Sequence, residues 1–134
     1  MEKLAINPST LPTAPGYSQI VLVSGGTTVY ISGQVPLDAS GTVVGAGNLE
    51  KQARQVFANL KAALTEVGAT ADHLVRIGIY VVGHGDEKLD LIRRVRDEEI
   101  PANPPPASTL LGVERLAISD FLIEVDGIAV IDRS

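Results

Sequence analysis

Between Leu49 and Val67 the apolar residues Leu49, Ala53, Val56, Phe57, Leu60, Ala63, Leu64 and Val67 recur every three or four positions, while Glu50, Lys51, Arg54 and Lys61 fall between them. That period specifies an amphipathic α-helix with one stripe that must be buried. Asn48 can cap its start through the side-chain carbonyl, and Gly68 can adopt the left-handed conformation that ends it. Whatever the rest of the chain forms must offer this stripe an apolar surface.

The neighbouring segments read mainly as strands. Pro8, Pro12 and Pro15 make Asn7 to Gly16 an extended, irregular arm, with regular structure expected to begin after it. Ile20 to Val23 and Thr28 to Ser32 are short β-prone runs, and the intervening Ser24-Gly25-Gly26-Thr27 points to a hairpin. Asp38 to Gly47 fits either a loop or one more short strand. Thr70-Ala71-Asp72-His73 reads as a cap and turn feeding a strand over Leu74 to Val82, with Val75, Ile77, Ile79 and Val81 on one face. Asp86 to Ile100 carries Leu89, Ile92 and Val95 three apart, which predicts a second, more exposed helix ended by Pro101. After Asn103-Pro104-Pro105-Pro106, strands are expected over Ser108 to Val113 and Phe121 to Ile131.

With 134 residues and no second run able to found another core, a single domain over residues 1–134 is expected. Strands interleaved with two helices give an α+β fold, one mixed sheet with both helices packed on a single face. The other face is then uncovered. With two Phe, three Tyr and no Trp to shield it, such a face is expected to be buried against another copy of the chain.

Charge narrows the partners. Eleven Lys and Arg against 16 Asp and Glu leave a net charge of −5, a field that repels phosphate backbones, so no nucleic-acid partner is expected. The chain has no Cys and hence no thiolate nucleophile. Neither a signal peptide nor a run approaching a membrane span is evident, and a soluble cytoplasmic protein is expected, with no membrane partner.

Few residues are arranged for chemistry. His73 and His84 stand eleven residues apart with no Cys to join them, so no metal site is expected and both are assigned to the surface. Gly83-His84-Gly85 reads as a turn, since no Lys and Ser or Thr follow as a phosphate loop requires. Arg93, Arg94 and Arg96 are followed at once by Asp97, Glu98 and Glu99, the pattern of a solvated helix face. Glu124 and Asp126 share one face of the last strand. They are either two solvent-facing acids or a carboxylate facing a cleft between subunits, where burial would raise its pKa.

Taken together, Gly16-Tyr17-Ser18-Gln19, Tyr30-Ile31-Ser32-Gly33-Gln34-Val35-Pro36, Gln52-Ala53-Arg54-Gln55, Pro106-Ala107 with Glu114-Arg115-Leu116, and Glu124-Val125-Asp126-Gly127-Ile128-Ala129 resemble the Rid (YjgF) family in order and spacing over nearly the whole chain. The resemblance implies a chorismate-mutase-like α+β fold and a homotrimer whose sheets form an internal barrel, with small-molecule clefts between subunits. In the family's deaminases such a cleft binds a small 2-enamine or 2-imino acid, and water releases ammonia to leave a 2-keto acid. No metal or organic cofactor takes part.

Carried over by position, the resemblance implies that Glu124 is the catalytic acid that positions water. It makes Tyr17 the cleft-lining tyrosine, and Ser32 and Gly33 the small residues that meet the ligand. The family's carboxylate-gripping arginine would follow Pro106-Ala107, where this chain has Ser108. Thr109 and Leu110 also depart from the deaminase pattern, and Leu91 replaces a ligand-contacting asparagine on the second helix. A bidentate guanidinium makes two charge-assisted hydrogen bonds of about 1.5 to 3 kcal/mol each, which a serine hydroxyl does not reproduce. Arg115 is offset from Ser108 by an odd number, which points it to the opposite face of an unbroken strand. The expectation is an arginine-lacking branch of the family whose cleft favours less anionic, more apolar small molecules than simple 2-imino acids. An enzyme acting on an enamine, imine or related intermediate is one reading. A non-catalytic trimer that binds a metabolite or partner is the other. A third reading, the RNA cleavage described for some family members, has the acidic composition against it.

Overall fold

The computed structural model describes residues 1–132; the last two residues of the expected domain lie outside the described part. The elements run β1 (Glu2–Ile6), β2 (Ile20–Ser24), β3 (Thr27–Gln34), α1 (Leu49–Glu66), a 3-10 turn (Ala71–His73), β4 (Leu74–Val82), α2 (Asp86–Glu99), β5 (Ala107–Val113) and β6 (Ile123–Ile131). Both helices form where the periodicity places them. Asn48 accepts the Lys51 amide at 3.0 Å, and Gly68 follows the helix at φ +74°.

Four strands form a mixed sheet in the order β3-β6-β4-β5, in which only β4 and β5 run parallel. A parallel pair needs a crossover, and α2 is that crossover. Ile77, Ile79 and Val81 of β4 and Ile123, Val125, Ala129 and Ile131 of β6 share one buried cluster with Val56, Phe57, Leu60 and Leu64 of α1 and Ile92 and Val95 of α2. Leu74 also packs inward. Val75, expected on that face, is half-buried at the register shift between Leu74 and Arg76. The opposite face of the sheet carries Tyr30, 80% exposed, with Arg76, Tyr80, Glu124, Asp126 and Ile128.

Two expectations are corrected at the amino terminus. Regular structure begins before the proline arm, with β1, and the two flanking runs do not form a hairpin. Instead β2 pairs antiparallel with β1 in a separate two-stranded sheet, while β3 pairs with β6. Lys3 hides β1 from a hydrophobicity reading: its stem turns inward and its ammonium donates to the carbonyls of Asp72 and Leu74. Gly26, at φ +83°, carries the chain from one sheet to the other, where a Cβ would lie 2.7 Å from Val130 and 2.9 Å from the Ile131 carbonyl. Asp38 to Gly47 contains no named strand. It is a loop pinned by Asp38, whose Oδ1 accepts the amides of Ser40 and Thr42, with one bridge between Leu37 and Val43. No helix among the described residues is long and apolar enough to cross a membrane.

Gln52 is fully buried on α1 and is hydrogen-bonded from both ends of its amide. Its Nε2 donates to the Asp120 carbonyl at 2.9 Å and the Gly45 carbonyl at 3.2 Å, and its Oε1 accepts the Leu122 amide at 2.8 Å. The entry to β6 and the loop before α1 are therefore fixed to the helix. Gln52→Met keeps the volume but leaves these backbone groups without partners, and should lower stability by about 2 kcal/mol or more. Urea denaturation checks this; an unchanged midpoint would show that the amide is dispensable.

Candidate functional site

On the uncovered face, β3 departs from its register with β6 between Ile31 and Gln34, so that Ser32 and Gly33 together oppose Asp126. This is a β-bulge, a device that bends a strand and re-aims its side chains. Here it brings Gly33 against Glu124. A Cβ on Gly33 would collide with the Glu124 carboxylate and lie 2.7 Å from its Cδ, so the bare backbone makes room for the acid. Tyr80, which pairs with Glu124 across β4 and β6, donates its hydroxyl to Asp126 Oδ2 at 3.0 Å. A depression of about 240 Å³ lies beside this group, lined by Ser32, Gly33, Arg76 and Asp126.

Partial burial, and secondarily the negative charge of Asp126, push the Glu124 carboxyl above the ordinary glutamate value. The Tyr80 hydroxyl is also pushed up, first by its hydrogen bond to Asp126. A carboxyl with a raised folded-state pKa favours the native state while protonated, and this contribution is lost as pH rises through that pKa. Glu124→Gln should therefore melt no lower than wild type at pH 7, with any advantage disappearing below the ordinary glutamate pKa. Thermal melts at both pH values test this; a variant less stable at neutral pH would mean that the ionised carboxylate is stabilised rather than strained.

The helix-facing side of β5 holds a second group. The Ser18 amide donates to the Pro106 carbonyl at 3.0 Å, and Ser18 forms a parallel bridge with Ala107, which sets Tyr17 beside the start of β5. Ser108 and Leu110, registered with the inward Ile77 and Ile79, share with Tyr17 a cavity of about 180 Å³. Its remaining lining is Ile79 and, from α2, Leu89, Ile92, Arg93 and Arg96. Thr109 pairs with Gly78 and is exposed on the other side of the strand. Leu91 packs against the hydrophobic core and does not line this cavity.

The basic run on α2 is not one solvated face. Arg94 fits that description, pairing with Glu50 at 2.9 Å and with Glu98 one turn on. Arg96 is only 8% exposed and Arg93 is half-buried, and both reach the cavity. The signal was present in the sequence: Arg93 and Arg96 are three residues apart and follow Leu89 and Ile92 around the helix, next to the stripe that packs inward. The expectation of a less anionic ligand rested on Ser108, Thr109, Leu110 and Leu91; two guanidiniums from α2 stand in the cavity that Ser108 and Leu110 line. Arg115 lies beyond β5 and is exposed, its guanidinium held by the carbonyls of Leu116 and Ala117.

The histidines are also more enclosed than expected. His73 Nδ1 accepts the Thr70 amide in a capping box at 3.0 Å, and His84 is half-buried with a buried Nδ1 that has no partner among the described residues.

The residues singled out in the sequence thus fall into two groups on opposite sides of one sheet. Tyr17, Ser108 and Leu110 meet on the helix side, while Ser32, Gly33 and Glu124 meet on the open side. Within one copy of the chain they do not line a common cavity.

Fold and site together define an α+β protein with a mixed sheet, two helices over one face and an acidic strand on the other. The sequence pattern described as Endoribonuclease L-PSP matches residues 8–131, and the chain belongs to this family, the Rid (YjgF) family. It is 35% identical over 133 residues to protein DfrA of Myxococcus xanthus, an alignment covering 97% of each chain. It is 32% identical over 121 residues to a 2-iminobutanoate/2-iminopropanoate deaminase of Dermatophagoides farinae, covering 90% of this chain and 89% of the relative. The crystal structure of the Rid-family protein YyfB from Yersinia pestis superposes with a TM-score of 0.89 at 37% identity, covering 98% of this chain and all of that one.

Proposed function

We propose that the chain is a single-domain cytoplasmic hydrolase of the deaminase type, acting on an enamine, imine or related metabolic intermediate in clefts between the subunits of a homotrimer. The observation that carries this reading is the placement of Glu124: a carboxylate of raised pKa, set against the bare backbone of Gly33 on a sheet face that none of the described residues covers. The open face of one copy, with Ser32, Gly33 and Glu124, would meet the Tyr17, Ser108 and Leu110 edge of the next. A ring of such head-to-tail contacts closes without burying two acidic faces against each other.

In this reading Glu124 accepts a proton from water as the water oxygen bonds to the imine carbon. It returns that proton to the nitrogen to give a carbinolamine; the hydroxyl proton then passes by way of Glu124 to the amine, the C–N bond breaks, and ammonia leaves as the carbonyl forms. A raised pKa suits both halves of that exchange, because it makes the carboxylate a stronger base and the carboxyl easier to form than at an ordinary glutamate. The deaminase relative supports the reaction class. Ser108 marks the chain as lacking an arginine at the position where the family's deaminases carry one. Its presence favours one alternative, a trimer that binds a small metabolite without turning it over.

Ammonia release from freshly generated 2-aminoacrylate and larger enamines separates the two readings. Catalysis predicts release by the wild type that falls about a hundredfold or more in Glu124→Gln. Equal rates for wild type, variant and buffer would leave a binding protein.

A further inference from the structure

We infer that Arg93 and Arg96 of α2 form the anion-binding subsite of this cleft, and that its ligand is a small carboxylate with a short aliphatic end. The inference rests on the cleft proposed above, but not on its being catalytic. Arg96 is 8% exposed; its Nε donates to Asp97 Oδ1 at 3.0 Å, and its Nη2 lies 3.0 Å from the same oxygen. That aspartate is 66% exposed, so the pairing is anchored at the surface. Nη1 has no protein acceptor among the described residues. Arg93 has no ion pair among them.

A guanidinium withdrawn from water with unused donors is costly unless an anion completes its shell. The space in front of these two arginines is suited to supply one. No acidic side chain lines the cavity, while Tyr17 and Ser108 contribute hydroxyl groups that can donate to a carboxylate. Ile79, Leu89, Ile92 and Leu110 form the apolar remainder, which fits a short aliphatic group and offers nothing to a second charge. The volume of about 180 Å³ admits a molecule of a few heavy atoms. Gly16 belongs to the same arrangement: a Cβ there would strike the Arg96 guanidinium, and its φ of +78° bends the arm around that side chain. Positive charge therefore enters the cleft from the helix, at the side of Ser108 rather than from position 108 itself.

Binding of 2-ketobutyrate, a stable monocarboxylate, to the full-length protein tests this by calorimetry and by chemical-shift perturbation. The wild type should bind it, and Arg93→Gln and Arg96→Gln should each weaken binding about tenfold or more. Butanone, which lacks the carboxylate, should bind more weakly and be indifferent to either substitution. Should Arg96→Gln fail to fold, Arg93→Gln carries the test alone. No binding by the wild type, or binding unaffected by Arg93→Gln, overturns the subsite. Arginine-dependent binding without ammonia release would retain the subsite and remove the catalytic reading; Glu124-dependent release with binding indifferent to the arginines would do the reverse.

Discussion

The pleat of β6 is the constraint on which the molecule depends. Successive residues of a strand point to opposite faces, so Ile123, Val125 and Ala129 enter the core while Glu124 and Asp126 point away from it. A slip of one residue would bury two carboxylates under α1 and expose the core. Gln52 works against that slip from a distance, holding the backbone at Asp120 and Leu122 immediately before the strand. Gly127 does so from within, since a Cβ there would lie 3.2 Å from both Leu60 and Leu74, closer than packed carbons normally sit. Fold and candidate chemistry therefore share one determinant: the register that buries the apolar residues also presents the acids.

A single sheet cannot bring both of its faces into one cavity. The acid-bearing bulge and the arginine-lined cleft lie on opposite sides of it, which is why the proposed site draws on two copies. The charges favour the same arrangement. One surface offers Glu124 and Asp126, the other Arg93 and Arg96, so the proposed head-to-tail ring would bring unlike surfaces together.

Much of this was legible in the sequence, for physical reasons that differ by element. The period of α1 and the alternation along β4 and β6 are strong because each buries one stripe or face, and the structure reproduces them within a residue or two. β1 was not legible, because a lysine that turns inward and donates to backbone carbonyls reads as polar. Pairing was not legible either. Gly25 and Gly26 announce a turn, but the sequence alone does not reveal that its two arms enter different sheets. Glu124 and Gly33 lie in the motifs that carry the family resemblance and are adjacent in space. The basic half of the candidate site was assigned to solvent because Asp97, Glu98 and Glu99 follow it at once. Whether such arginines face water or a cleft depends on which helical stripe meets β5, a tertiary fact.

The central claim is that one site draws on two copies of the chain, and subunit mixing tests it most directly. Arg93→Gln and Glu124→Gln chains, each deficient in ammonia release, would be unfolded together, refolded as mixed oligomers and assayed against the separate variants. If Glu124 of one copy faces Arg93 of the next, random mixing restores about a quarter of the sites to wild-type composition, and activity reappears. Mixed oligomers no more active than the separate variants, with mixing verified by mass, would contradict the claim.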